Sequence, residues 1–449
     1  MPTFGPSPEA SPSAAIAPSG TAPAAPSSSG GAQISLITMS GGKLVSPAPP
    51  APNRAAGRPL PHPVGPAPGT ARPPVKFSLF MYCTMGRRPE LEAGLAGLDN
   101  DLYQRMLAEI ADIARFADAN GFYGYGHPEH HLQIEGFEAS GDLGLMASWI
   151  ARHSERLRPI ACGFVSTTHN PLRVAEQVAT LDHMTAGRLC FGAVRGYQHR
   201  WVDQLKIRPD LAAVGTWNKN TDVDEYNRRF FEEFVDVVLT ALREPTFSYE
   251  GEFWRFPNDN LNPHVHTVYS DYGAGVDADM TIHEIGIAPR PLQQPPPPLY
   301  GGFTMSMASA VFWARHGGTP IVLSDKLDFC EALWGAYRDE AGRRGVDKPR
   351  GHECAWGGVA VCAPTDAEAQ AQFEDMAWFW SQWSDQFGQG MPLRLVGSPD
   401  TISRQIDEAH AALGFDEIFL LIPQGIHSSE QILTSLELIS AKVMPHFEV

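Results

Sequence analysis

Two short segments carry the side chains best suited to chemistry. The first, Gly126–His131 (GHPEHH), holds three histidines and a glutamate within five residues. The second begins about forty residues downstream. It is His169–Gly196 (HNPLRVAEQVATLDHMTAGRLCFGAVRG), which closes on an arginine between a valine and a glycine. Imidazole titrates near neutrality and guanidinium binds phosphate. The two segments therefore predict acid–base chemistry beside an anion site.

The histidine cluster has several interpretations. Imidazole and carboxylate are common metal ligands, but HPEHH lies on a strand-to-loop turn after a proline, whereas the helical zinc pattern needs histidines at i and i+4. We therefore expect no metal here and predict that His130 is an acid or base. The alternative is a structural histidine at the rim, and it applies more strongly to His127 and His131. Glu129 is predicted to be an orienting or structural carboxylate.

The predicted anion site has two parts. Arg195 follows an apolar strand, where a guanidinium fork and nearby N–H groups suit a phosphate, and Gly196 lets a ligand approach closely. The alternative for Arg195 is a salt bridge at the rim. Thr304–Ser309 (TMSMAS) follows another strand and opens a helix, so its hydroxyls and N–H groups form a second anion site. A plain N-cap by Thr304 or Ser306 is the competing interpretation.

Composition excludes several classes of protein. The chain has 449 residues, 43% of them hydrophobic, and a net charge of −17. This acidity disfavours nucleic-acid binding. No apolar run approaches the roughly 18 residues that span a bilayer, and no signal peptide begins the chain. The six cysteines contain no CxxC pair, so neither a zinc site nor a disulfide framework is indicated. We expect a soluble cytoplasmic protein.

The chain divides into two regions. Residues 1–74 are rich in Pro, Ala, Ser and Gly and nearly free of large apolar side chains. Such a segment buries too little surface to offset its ordering entropy, so it is predicted to be a disordered low-complexity extension. Residues 75–449 are predicted to form the folded domain.

Strand and helix patterns alternate through this domain. Eight β segments are predicted, at Val75–Cys83, Phe122–Gly126, Ile160–Val165, Leu189–Ala193, Leu299–Phe303, Pro320–Leu323, Trp356–Val361 and Glu417–Ile422. Each leads to a helical pattern, which is the count that a closed (β/α)8 barrel requires, although spacing alone also allows an open sheet. A hairpin is predicted around Glu250–Gly251. Residues 257–287 are interpreted as either an active-site lid or a disordered excursion.

Several motifs together resemble the bacterial luciferase-like flavin monooxygenases. They are the EHH motif, the long His169–Gly196 run, FSYEGEFWRFP, PRPLQQPPPPLYGG, and the closing GSPDTISRQIDEAHAALGFDEIFLLIPQ and VMPHF. The resemblance covers residues 75–449 and implies a TIM barrel with insertion loops. It also implies reduced FMN from a separate NAD(P)H-dependent flavin reductase, with O2 adding to the flavin to give a peroxyflavin. The implied reaction is monooxygenation.

The resemblance also implies roles for individual residues. It implies that His130 is the active-site base. It also implies that four side chains bind the FMN phosphate: Arg195, Arg228, Ser306 and Ser309. There is one departure from the family pattern, because Val194 stands where luciferases have a reactive cysteine. The family's non-proline cis peptide falls on the step from Cys162 to the following glycine.

Other readings remain open. One branch of the family uses a deazaflavin (F420) for hydride transfer, and other members are non-catalytic flavin-binding barrels; retention of EHH and of the arginine counts against inactivity.

We expect a small, largely apolar organic substrate and a homo-oligomer. Four tryptophans are candidates for an apolar substrate pocket, although tryptophans are more often core residues: Trp201, Trp217, Trp254 and Trp356.

Overall fold

The fold is taken from a computed structural model, which describes residues 74–258, 267–277, 279, 281–388 and 390–447. The strands are β1 (Lys76–Phe80), β2 (Gly124–His127), β3 (Arg158–Val165), β4 (Cys190–Val194), β5 (Tyr249–Glu250), β6 (Arg255–Phe256), β7 (Leu299–Gly301), β8 (Thr319–Val322), β9 (Ala355–Cys362), β10 (Arg394–Gly397) and β11 (Glu417–Leu421).

Twelve α-helices are found in the described residues. They are α1 (Arg88–Glu92), α2 (Asn100–Ala119), α3 (Leu143–Arg152), α4 (Pro171–Met184), α5 (His199–Leu205), α6 (Asp222–Arg243), α7 (Val268–Tyr272), α8 (Met307–His316), α9 (Leu327–Arg343), α10 (Asp366–Gln382), α11 (Pro399–Leu413) and α12 (Ser429–Leu438). None of the described helices is long and apolar enough to cross a membrane.

Eight parallel strands close a barrel. Going round the ring, the hydrogen-bonded order is β1–β2–β3–β4–β7–β8–β9–β11, and β11 pairs with β1 to complete it. At that closure Lys76 pairs with Glu417 and Phe80 with Leu421. β10 adds to the far half of β9 outside the ring, and β5 and β6 form a separate antiparallel hairpin. The predicted (β/α)8 barrel and hairpin are therefore confirmed.

Alternate side chains along each strand belong to two different hydrophobic cores. Residues such as Phe80, Ile160 and Phe419 cluster in one core, whereas Leu79 and Ile418 belong to a second cluster that includes apolar residues of the helices. Successive side chains of a strand point to opposite faces, so the first cluster fills the barrel and the second joins it to the helices. Because both faces of each strand are buried, the strand sequences are nearly continuous apolar runs.

The structure adds elements that the sequence patterns did not predict. These are β10 and the short helices α1, α5 and α7, each too short for a clear period. α7 lies within the segment 257–287, part of which falls outside the described residues, so its interpretation as a lid stays a prediction. The predicted disorder of residues 1–74 falls, except for Pro74, outside the described residues.

A buried carboxylate lies in the strand that closes the barrel. Glu417 is 3% exposed and accepts hydrogen bonds from Ser78 Oγ and, at 2.8 Å, from Tyr300 Oη. Burial raises the pKa of Glu417 above its ordinary value, and these two hydrogen bonds only partly oppose that shift. A carboxyl whose pKa is raised by folding stabilises the fold least when it is ionised.

Replacing Glu417 by glutamine is expected to stabilise the protein at high pH. In the parent, stability is fully present below the ordinary pKa of a glutamate and falls as pH rises through the raised value. Melting temperatures of E417Q and parent should therefore diverge progressively as pH rises from below the ordinary pKa of a glutamate to above it. The exposed Glu437→Gln is the control. A constant difference between E417Q and parent over this range would contradict the assignment.

Candidate active site

The predicted site residues lie at the carboxyl ends of the barrel strands. β2 ends at His127 and leads into the EHH motif, β4 ends at Val194, and β7 ends at Gly301. Because all eight strands are parallel, the loops after them lie at the same end of the barrel. Two groups of side chains form there, one around the arginines and the other around His130.

The first group surrounds a cavity of about 570 Å³. All four predicted phosphate-binding side chains line it, namely Arg195, Arg228, Ser306 and Ser309. They come from the loop after β4, the first turns of α6 and the start of α8. Gly196 does not line this cavity. Its φ is +86°, and a Cβ there would lie 2.8 Å from Val165 Cγ1, so glycine serves the turn itself.

The start of α8 gives this cavity hydrogen-bond donors. Ser306 is the N-cap of the helix, where its Oγ accepts from the Ser309 N–H at 3.2 Å and lies 2.9 Å from Ser309 Oγ. The capping interpretation of Ser306 is thus confirmed, and the same hydroxyls also face the cavity. A helix N-terminus carries partial positive charge, which favours an anion.

Both arginines are already paired with carboxylates. Arg195 Nη1 donates to Asp224 Oδ1 at 2.6 Å, so the salt-bridge alternative is also realised. Arg228 contacts Glu225 at 2.6 Å and Glu232 at 3.0 Å. The charged lining comprises three cations and four carboxylates, one negative charge in excess: Arg195, Lys219 and Arg228 against Asp222, Asp224, Glu225 and Glu232.

The donor set nevertheless fits a phosphate monoester. Two guanidinium forks, two hydroxyls and a helix N-terminus face one space, and such groups bind phosphate oxygens. A phosphate must replace the carboxylates as the partner of the guanidiniums. Sequence reasoning missed these carboxylates, although the acidic first turn of α6, DVDE, is a visible signal for three of them, Asp222, Asp224 and Glu225.

The second group forms around His130, which is buried. His130 Nδ1 lies 3.1 Å from Glu138 Oε2, at an angle that makes no hydrogen bond, and His130 Nε2 lies 3.5 Å from Tyr197 Oη. Burial lowers the pKa of His130, and the charge of Glu138 opposes that shift. Tyr197 follows Arg195 by two residues, so one loop joins the two groups. Sequence reasoning did not identify Glu138.

Glu129 is held by the other histidines. Its carboxylate lies 2.9 Å from the Nε2 atoms of His131 and His169, and it accepts from the Val165 N–H at 3.2 Å. Burial raises the pKa of Glu129, but the bonds to the two imidazoles outweigh burial and bring it down to about 2. Glu129 thus joins β2 to the loop after β3, in agreement with its predicted structural role.

His127 lies in packed surroundings, and three of the four candidate tryptophans contact rings other than His130, one of them, Trp217, from an exposed position. His127 is fully buried, and burial lowers its pKa to about 4. Of the four candidate tryptophans, Trp201 lies beside His130, with ring centroids 6.3 Å apart. The others stack elsewhere: Trp254 on Phe256, Trp356 on Phe415 and Trp217 against His199.

A family model described as luciferase-like monooxygenase matches residues 80–443. The chain belongs to this family. It is 25% identical over 269 residues to the alkanal monooxygenase alpha chain of Aliivibrio fischeri, covering 60% of this chain and 62% of that protein. It is 25% identical over 361 residues to the FMNH2-dependent dimethylsulfone monooxygenase of Pseudomonas putida, covering 74% of this chain and 84% of that protein.

Among solved structures, the chain resembles the oxygenating constituent of 3,6-diketocamphane monooxygenase from Pseudomonas putida, in complex with FMN. The TM-score is 0.62 at 19% identity, and the match covers 83% of this chain and 98% of that one. Alignments with three curated relatives span 58%, 62% and 46% of those proteins. The chain therefore matches about half of the length of these relatives.

Two further features of the luciferase-like family pattern were predicted from the sequence. The peptide bond between Cys162 and Gly163 is cis, as the resemblance implies. Val194, which stands in place of the family's cysteine, lines the cavity. The nearby thiol of Cys162 is buried, and burial raises its pKa to about 12, so it is a poor nucleophile.

Removing the charge of Glu129 is expected to destabilise this family member. The lowered pKa corresponds to about 3 kcal/mol of stability, fully present above the ordinary pKa of a glutamate and lost as pH falls towards about 2. In urea titrations at neutral pH, Glu129→Gln should lose about this free energy of unfolding. The control is Glu176→Gln, whose ion pair with Arg173 is exposed. Equal stability of E129Q and parent would refute the structural role.

Proposed function

We propose that the chain is a flavin-dependent monooxygenase that uses reduced FMN and O2 to oxidise a small, largely apolar organic substrate. One observation carries the proposal. The loop after β4 places Arg195 in the cavity that holds the phosphate-type donors, and it places Tyr197 beside the buried His130. A cofactor phosphate and an acid–base group would then act at adjacent positions. Retention of both groups argues against a non-catalytic barrel.

The choice of cofactor rests on the family. One similar relative is named an FMNH2-dependent monooxygenase, and one similar structure contains FMN. In this chain Arg195, Arg228, Ser306 and Ser309 would hold the phosphate. Bound reduced flavin supplies the electrons that activate O2. A separate flavin reductase would deliver it, and we expect the chain to form a homo-oligomer.

The chain's own residues would then position the cofactor and accept a proton. Ion pairs and N–H groups would fix the phosphate end of the cofactor. Burial lowers the pKa of His130, which favours its neutral form. The neutral imidazole is able to accept a proton at Nε2, the atom that faces Tyr197. The buried surroundings of His130 keep competing water away from that proton.

Replacing His130 by alanine is expected to abolish turnover while leaving flavin affinity nearly intact. A positioned acid or base contributes about a hundredfold to ten-thousandfold to a rate, whereas His130 does not line the phosphate cavity. Substrate oxidation and flavin binding should be measured on the same preparations, with the exposed His446→Ala as the control. Full activity of H130A would remove this role.

Two substitutions in the cavity are expected to change FMN affinity in opposite directions. Arg195→Ala loses a charge-assisted contact and should weaken binding by about 1.5–3 kcal/mol. Asp224→Asn removes the competing carboxylate of a partly exposed pair and should strengthen binding by about two- to fivefold. Calorimetric titration with FMN measures both effects. Riboflavin, which lacks the phosphate, is the control ligand. An equal change for riboflavin would show that Arg195 does not bind the phosphate.

A further inference from the structure

We propose that Glu138 is the positioning residue for His130, holding the imidazole with its Nδ1 side towards the carboxylate and its Nε2 side towards Tyr197. This inference rests on the proposed function, because it assigns a partner to the acid–base group named there. It adds a residue that lies outside the EHH motif and that the spacing of the sequence did not indicate.

Burial makes Glu138 unusual. Glu138 is 1% exposed, and the described lysines and arginines form no ion pair with it. Glu135, three residues earlier, has a side chain that is 37% exposed and pairs with Arg200. A carboxylate buried without a cationic partner is costly, and such groups concentrate at functional sites. The ionisable group that it contacts most closely is His130.

The backbone brings the two residues together. The His130 N–H donates to Ser140 O at 2.8 Å, and Ser140 Oγ donates to Pro128 O at 2.8 Å. These bonds fold the segment after β2 back on itself, so that Glu138 returns to the side of the imidazole. Phe137 stacks on Trp383, with ring centroids 5.2 Å apart. This contact holds the second half of the loop in place.

A chain of amides fixes the Glu138 carboxylate as an acceptor. Gln198 Oε1 accepts from Gln133 Nε2 at 2.6 Å and from Trp201 Nε1 at 3.0 Å. The amide of Gln198 must therefore turn its Nε2 the other way, where it donates to Glu138 Oε2 at 3.0 Å. Tyr197 Oη also donates to Glu138 Oε2, at 3.4 Å. The carboxylate is therefore held by an amide and a hydroxyl and not by a cation, so its charge is available to His130.

Four ionisable groups face the imidazole of His130, and their effects differ. Glu138 and Glu129 favour the protonated ring, and His131 disfavours it. Glu129 is already shared between His131 and a second histidine, so Glu138 is the carboxylate with the closer contact to His130. Tyr197 lies on the Nε2 side, with its hydroxyl 3.5 Å away.

The test compares Glu138→Gln with the matched control Glu135→Gln. The first readout is the pKa of His130 in the flavin-free protein, followed by NMR of the ring protons and assigned by the signal lost in His130→Gln. We expect the pKa of His130 to be lower in E138Q, because a negative charge that favours the protonated ring is removed. We expect no shift of this pKa in E135Q. Glu138→Asp, which keeps the charge, should give a smaller decrease.

The second readout is the pH profile of turnover with reduced FMN. In E138Q we expect kcat to fall by roughly tenfold to a hundredfold and the acidic limb of the profile to move to lower pH, with the KM for flavin little changed. A His130 pKa in E138Q that is equal to or above the parent value would overturn the proposal. If E138Q does not fold, an unchanged pKa in E138D overturns it. A parent without flavin-dependent turnover refutes the proposed function alone, since the titration still reports on Glu138.

Discussion

Parallel closure of the barrel is the constraint on which the site depends. The pairing of β11 with β1 joins the last of the described strands to the first, and each strand of the ring runs in the same direction. The loops after the strands therefore share one end of the barrel, although their residues are far apart in the chain. The cavity lined by Arg195 and Arg228 combines the loops after β4 and β7 with the N-terminal turns of α6, and the His130 group combines the loops after β2 and β4.

Carboxylates outnumber cations in the lining of the cavity. The two arginines that the family resemblance assigns to phosphate are held by acidic side chains of α6, and the lining carries one more carboxylate than cation. These carboxylates keep the guanidiniums oriented and also compete with an anion for them. Under the proposed function a separate reductase would supply the cofactor, which must then bind and leave, and competing carboxylates of this kind would moderate its affinity.

Much of this organisation was predictable because its physical signals are local. Eight apolar runs with helical patterns between them predicted the barrel, and residues directly after those runs included His130, Arg195 and Ser306. β10 was missed because it lies outside the ring, where its pairing with β9 and not a strand-to-helix repeat of the barrel defines it. Glu138 was missed because its importance comes from burial against His130, which depends on how a loop folds back. The pairing of Arg195 with Asp224 likewise depends on tertiary packing between β4 and α6.

Anaerobic titration of the purified protein with reduced FMN, reduced FAD and the deazaflavin F420, followed by mixing with O2, tests the monooxygenase assignment most directly. The flavin absorbance and O2 consumption would be recorded together. We predict that reduced FMN binds most tightly and that its complex consumes O2. Tight binding of the deazaflavin without O2 consumption would contradict the monooxygenase assignment and indicate hydride transfer.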